Sequence, residues 1–282
     1  MATVSTMPHS LVIAGNVTRR QSSKDLRDKV VLMTGATGEL GRALLPLFLA
    51  AGAQVVLSAS DARSVHEHAA SLDAGARGRV LPLAVDLTEP GAALALRSAA
   101  LAWRGRIDGL VQAAGYNECN AFADESDELF ERILRINLIT PAALMKAVLP
   151  DMLARGSGVI LNVCSNMGLL GYPAAPGYTA SKFGLVGLSH ALHQEVRSRG
   201  VRVHAVCPPG FESPLFRSVR NRPAYYDTVR PLRAETVARA VLGAYGSSRC
   251  LHVIGAVNRL SFGLHALFPE LTNALIRRVI GY

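Results

Sequence analysis

The chain has 282 residues, 50% of them hydrophobic and 18% charged, which is enough to bury one substantial core, and a single domain is the expectation. Its formal net charge of +9 raises nucleic acid and anionic surfaces as partners. The arginines are scattered, no basic run carries interleaved aromatics and there is one Trp, which argues against nucleic acid and leaves a solvated surface first, and attraction of an anionic substrate, carrier protein or headgroup second.

In chain order, residues 1–28 lack strong periodicity. Met1 to Lys24 holds no acidic residue and carries Arg19, Arg20 and Lys24, as a weak targeting segment would. Its apolar piece, Leu11-Val12-Ile13-Ala14, is too short for a signal-peptide core, so a flexible tail is the reading. Val30-Val31-Leu32-Met33 then reads as a strand, Thr34-Gly35-Ala36-Thr37-Gly38-Glu39-Leu40-Gly41 as a glycine turn, and Arg42-Ala43-Leu44-Leu45 as the start of a helix. That order lets the backbone approach a pyrophosphate at a helix N-terminus, where free N–H groups and the helix dipole favour anions. Glu39 would have to turn its carboxylate away from such phosphates.

Further strands are expected near 54–59, 79–84, 107–113, 157–164, 201–207 and 250–254, with helices between them. The alternation predicts an α/β fold, a doubly wound parallel sheet of the Rossmann type with helices on both faces. No transmembrane helix is evident, because the apolar region from Ala43 to Leu57 is interrupted by Gly52 and Gln54.

Later in the chain, Ser165 and Tyr178-Thr179-Ala180-Ser181-Lys182 supply a hydroxyl, a phenol and an ammonium. On a helix the four-residue step from Tyr178 to Lys182 puts both side chains on one face. A nearby cation lowers a phenol pKa from about 10 towards working pH, which makes Tyr178 a general acid for a carbonyl under reduction, with Ser165 holding the carbonyl oxygen.

The cysteines, Cys119, Cys164, Cys207 and Cys250, form no C-x-x-C pair, so reduced core thiols are expected. His190 and His193 share a helical face, yet nothing completes a ligand set, and no metal site is expected. Residues 256–282 form an amphipathic extension broken at Pro269. Leu271, Leu275 and Val279 make one stripe, which Ile276 and Ile280 widen and Arg277 and Arg278 flank. A helix packed over the substrate cleft or a subunit partner is the first reading of it, and peripheral membrane contact the second.

Together the glycine turn and the Ser165, Tyr178 and Lys182 set resemble the short-chain dehydrogenase/reductase family, from about Lys29 to Gly255. The resemblance implies an NAD(P)H-dependent oxidoreductase with a catalytic set of Asn137, Ser165, Tyr178 and Lys182, Asn137 joining a water relay. It implies cofactor contacts from Thr34, Gly35, Thr37, Gly38, Glu39, Leu40 and Gly41, from Ser60 and Arg63, and from Asp86 and Leu87 beside adenine. Ala113, Ala114 and Gly115, the Pro209, Gly210 and Ser213 loop, and Tyr178 with Lys182 would complete the site.

The chain departs from the family pattern at Glu39, where the family has glycine although Gly35, Gly38 and Gly41 keep the spacing of related members, at Gln112 and in the Pro-Pro loop, and cofactor choice is read separately at Ala59. Gln112 stands where the family has Asn, which puts a structural hydrogen bond in doubt. Ala59 stands where NAD-selective members carry an acid, so NADP(H) is favoured over NAD(H), although Asp61 lies two positions on. Cys207-Pro208-Pro209-Gly210-Phe211-Glu212-Ser213-Pro214 is similar to a Pro-Pro loop variant of some members that act on long-chain lipids such as 3-ketosphinganine.

The resulting expectation is interconversion of a ketone and a secondary alcohol on a bulky apolar or lipid-like substrate such as a 3-keto lipid. A 3-oxoacyl thioester, steroid or polyketide ketone, or a catalytically silent nucleotide-sensing scaffold, are the alternatives. A homodimer or homotetramer is implied by the resemblance, and a cytoplasmic location with membrane association is expected.

Overall fold

The computed structural model describes residues 25–213, 216, 223, 226 and 230–281. Seven parallel strands form one sheet, β1 (Val30–Thr34), β2 (Gln54–Ala59), β3 (Val80–Ala84), β4 (Gly109–Gln112), β5 (Gly158–Val163), β6 (Val201–Cys207) and β7 (Leu251–Val253), in the order β3-β2-β1-β4-β5-β6-β7. Every residue of β1 is buried, as a strand covered on both faces requires, and this is why it reads as an unbroken apolar run.

One face of the sheet is covered by α1 (Glu39–Ala50), α2 (Ala62–Ala70) and α8 (Ala234–Tyr245), through Leu44, Leu45, Phe48, Val65, Val237 and Val241. The short α3 (Ala74–Arg77) leads into β3. The other face is covered by α4 (Ala92–Arg104), α6 (Thr140–Ala154) and α7 (Pro176–Val196), through Leu96, Leu144, Met145, Val148 and Leu185. The chain leaves β1 towards β2 and returns to β4 on β1's other side, with registers Thr34 to Ser58 and Thr34 to Gln112. Strand order reverses there, and the carboxyl ends of β1 and β4 open a crevice.

Helix α5 (Asp127–Leu134) runs through a π turn, Arg135–Ile139, into α6. The run Asp127–Ala154 is long and apolar enough to cross a membrane, which the sequence reading did not single out. Its apolar length is used against the sheet, where Leu144, Met145, Val148 and Met152 are all buried.

At the N-terminal side, the fold reaches further than the expected boundary at residue 29. Leu26 is buried and its N–H bonds the carbonyl of Ala51 at 2.7 Å. Arg19, Arg20 and Lys24 lie outside the described residues. After β7, α9 (Ala256–Leu267) and α10 (Pro269–Ile280) pack on each other as a helical hairpin. Of the expected stripe, Leu271, Leu275 and Val279 are exposed within this single chain, whereas Ile280, which widens it, is buried together with Thr272.

Candidate active site

The glycine turn is built by close approach. Gly35 has φ +69°, and a Cβ there would lie 2.5 Å from the Ala114 nitrogen, so only glycine lets the end of β1 meet the end of β4. A Cβ on Gly41 would lie 2.3 Å from the Gly35 carbonyl oxygen. Gly38 is the N-cap of α1 and places no side chain over the first-turn N–H groups. Arg42 braces the turn by donating to the Thr37 carbonyl at 2.9 Å.

This turn forms one wall of a cleft of about 400 Å³. Gly35, Thr37, Gly38, Glu39, Leu40 and Gly41 line it, as do Ser60, Asp86, Leu87, Ala113, Ala114, Gly115, Tyr178, Lys182 and Ser213. Thr34 stays within the sheet, buried. Arg63 is not on the cleft wall and pairs with Glu67 at 2.7 Å. Asp61 is likewise spent as the N-cap of α2, where it accepts from the Ser64 N–H at 2.7 Å, and Ser64 holds its carboxyl low.

Two polar clamps fix the cleft floor. Thr88 donates to Asp86 from its N–H and its hydroxyl, each at 2.8 Å, and holds that carboxyl below its ordinary range. Thr140 on α6 donates to the Leu87 carbonyl at 2.6 Å. Gln112 keeps a strand-to-helix tie after all, since its Nε2 donates to the Pro141 carbonyl at 3.2 Å and to Asn162 Oδ1 at 2.9 Å.

The four expected catalytic side chains converge at the carboxyl ends of β4 and β5. Asn137 sits in the π turn, fully buried, donating to the Tyr116 carbonyl at 2.8 Å and to Ser181 Oγ at 3.1 Å and accepting from the Tyr116 N–H at 2.9 Å. π turns of this kind recur at functional sites because they aim a side chain off the helical repeat. Ser165 follows β5 and caps a short 3₁₀ turn, accepting from the Met167 N–H and donating to Asn166 Oδ1, both at 3.1 Å.

Tyr178 and Lys182 share one face of α7, as their spacing requires. Lys182 Nζ lies 5.6 Å from the Tyr178 ring centre and donates to the Val163 carbonyl at 3.1 Å. The expected fall in the phenol pKa does not occur in the free protein. Burial pushes Tyr178 up to about 12, against the pull of the Ser165 hydroxyl, and burial also pushes the Lys182 ammonium down.

A second cavity, about 230 Å³, adjoins the cleft and is lined mainly by apolar and aromatic groups. Met167, Tyr172, Pro208, Pro209, Gly210, Phe216 and Tyr226 form its walls, with Asn117, Ser165 and Asn166 as polar points. Tyr178, Cys164, Phe211 and Ser213 line both spaces, so the phenol stands where they meet. Pro209 and Gly210 therefore face the second cavity rather than the cleft, and Ser213 is held by accepting from the Phe216 N–H at 3.0 Å.

Sequence reading missed Tyr116, Arg132, Asn166 and Tyr172. Asn166 and Tyr116 adjoin Ser165 and Gly115, and that adjacency was the available signal. Arg132 comes from α5, its guanidinium 4.6 Å over the Tyr116 ring, and no linear pattern marks it. His193 is buried with Nδ1 at 3.0 Å from the Val203 carbonyl oxygen.

A parallel doubly wound sheet with a glycine-lined crevice at its switch point, and Ser, Tyr and Lys converging beside it, defines a dinucleotide-dependent oxidoreductase of the Rossmann class. The chain belongs to the short chain dehydrogenase family, whose sequence model matches residues 29–224. It is 36% identical over 188 residues to the short chain dehydrogenase ausX of Penicillium brasilianum, covering 66% of this chain and 70% of that one. It is 30% identical over 240 residues to the 3-oxoacyl-acyl-carrier-protein reductase FabG of Escherichia coli, covering 81% and 97%. A crystal structure of a short-chain dehydrogenase from Streptomyces avermitilis superposes with a TM-score of 0.75 at 27% identity, over 87% of this chain and 96% of that one.

The family uses nicotinamide cofactors, and the cleft suits one. Close-packed glycines bring backbone to its wall, and among the described residues Lys182 Nζ has a single acceptor, Val163, which leaves donors for a ribose hydroxyl.

Proposed function

We propose that this protein reduces a ketone on a bulky apolar substrate to a secondary alcohol, with NADP(H) as the preferred cofactor. The observation that carries the reading is Tyr178, which lines both the glycine-walled cleft and the apolar cavity. When bound, the nicotinamide supplies the hydride. Tyr178, with its pKa near 12, is protonated at neutral pH and donates the phenolic proton to the carbonyl oxygen. Ser165 orients that oxygen by hydrogen bonding, and Asn166 fixes the Ser165 hydroxyl at 3.1 Å. Lys182 would hold the ribose side of a bound cofactor and would stabilise the phenolate left by proton transfer.

Support for NADP(H) is the second-strand end, where Ser58, Ala59 and Ser60 line the cleft without a carboxylate and Asp61 is engaged as a helix cap. Of the two cations expected beside a 2′-phosphate, Arg63 and Arg42, Arg63 is paired with Glu67, and the exposed Arg42 next to the turn is the better placed. Support for an apolar substrate is the aromatic wall of the second cavity. The likeness to a 3-oxoacyl reductase over nearly all of that enzyme's length favours a 3-oxoacyl thioester as the second reading. Exposed Ile139, in the π turn that carries Asn137, and exposed Phe183, on the helix that carries Tyr178, support a homo-oligomer through those elements.

The test is a panel of ketones that includes 3-oxoacyl thioesters, 2-alkanones and fused-ring ketones, assayed with NADPH and followed by loss of reduced-nicotinamide absorbance. Turnover of apolar ketones supports the reading. Turnover of thioesters alone transfers it to the second reading, and no Tyr178-dependent turnover of any ketone overturns both.

A further inference from the structure

Helices α9 and α10 each bury one side and leave an apolar stripe in water. On α9, Val257, Leu260 and Leu267 are 78%, 73% and 74% exposed, at spacings that place them on one helical face. On α10, Leu271, Leu275 and Val279 are 53%, 47% and 66% exposed, again on one face. Large apolar groups left singly on a surface need no explanation, but two successive helices with continuous exposed stripes do.

We propose that this hairpin is a docking surface for an anionic lipid bilayer. The charge around it is complementary to such a partner: Arg259, Arg277 and Arg278 are exposed, with Glu270 the one acid on the two helices, in a chain of formal net charge +9. A two-fold contact with a second copy would instead bring like-charged arginine clusters together. An apolar face bordered by arginines is the composition of a helix that lies in the membrane interface.

The hairpin is also tied to the apolar cavity. Asn258 at the start of α9 donates to the carbonyls of Cys207 and Ile254, both at 3.2 Å, and Cys207 immediately precedes the Pro208-Pro209 wall. A Cβ on Gly255 would lie 3.8 Å from Pro209 Cγ. Docking would hold the cavity that accepts the substrate close to the lipid. The surface thus extends the apolar-substrate reading, although lipid binding is measured without turnover and the two can fail separately.

The experiment is co-sedimentation of the full chain with vesicles of phosphatidylcholine alone and of phosphatidylcholine with phosphatidylglycerol, together with the mass in solution. The expected result is binding about tenfold stronger to the anionic vesicles, weakening with added salt. Leu260→Glu with Leu267→Glu and Leu275→Glu should lower it about tenfold or more at unchanged oligomeric mass. Arg277→Gln with Arg278→Gln should lower only the anionic preference and serves if the triple variant does not fold. Absence of vesicle binding by the wild type overturns the proposal. So does equal binding by the variants, or a fall in oligomeric mass in the triple variant, which would make the face an interface between copies.

Discussion

Lys182 Nζ donates to the Val163 carbonyl and lies 5.6 Å from the centre of the Tyr178 ring, with the phenol left in a desolvated site. Burial also shifts the ammonium down, so for both groups desolvation outweighs the stabilisation that opposite charges would lend each other. In the free protein this leaves a protonated tyrosine ready to donate.

Tyr178→Phe should therefore lower the turnover of any accepted ketone by about 10²–10⁴. Affinity for NADPH, titrated by fluorescence, should change by no more than a few-fold, because the variant deletes one hydroxyl and little contact area. Retention of most of the wild-type turnover would show that Tyr178 is not the proton donor.

Cofactor choice should follow the second-strand end. NADPH should bind more tightly than NADH, and Ala59→Asp should move the preference towards NADH by repelling a 2′-phosphate. Fluorescence titration of both cofactors against both proteins decides it. Tighter NADH binding by the wild type would send attention back to Asp61.

Within the apolar cavity, activity on a homologous ketone series should climb with chain length until the space is filled. Apolar burial is worth about 25 cal/mol per Å². A flat kcat/KM across the series, or a preference for small polar ketones, would rule out the apolar-substrate reading and leave the oxidoreductase class in place.

Gln112→Leu should destabilise the fold by about 1–3 kcal/mol in urea unfolding, because it strips a donor from the Pro141 carbonyl and from buried Asn162 Oδ1. An unchanged unfolding midpoint would mean that this tie contributes nothing.

His204 gives the fold a pH dependence. It is fully buried, and desolvation holds its pKa at about 4, against an ordinary value of 6.5. Below pH 6.5 the unfolded chain binds a proton that the folded chain refuses until about pH 4, so stability falls as pH falls through that window. The loss at the bottom of the window is on the order of 3 kcal/mol. Unfolding curves across that range should show the slope, and His204→Gln should flatten it.

Much of the architecture was legible because its signals are local. Val30 to Met33 declares a strand buried on both faces, and Gly35, Gly38 and Gly41 declare a turn in which a Cβ on Gly35 or Gly41 would collide with backbone. The four-residue step from Tyr178 to Lys182 survives any change in packing, since helical geometry alone sets it.

Other features depended on what the folded chain places beside each residue. Arg63 found Glu67, and Asp61 found the first turn of α2. Burial outweighed the cation in setting the Tyr178 pKa. Asn137 was aimed by a π turn that its residues do not announce. The Leu271, Leu275 and Val279 stripe reads as a buried face by period, yet period does not say which side of a helix meets the core. That was decided by the packing of α10 through Thr272 and Ile280. Sequence fixes spacing along one element, whereas partners, desolvation and exposure depend on contacts between elements, and those exist only once the chain has folded.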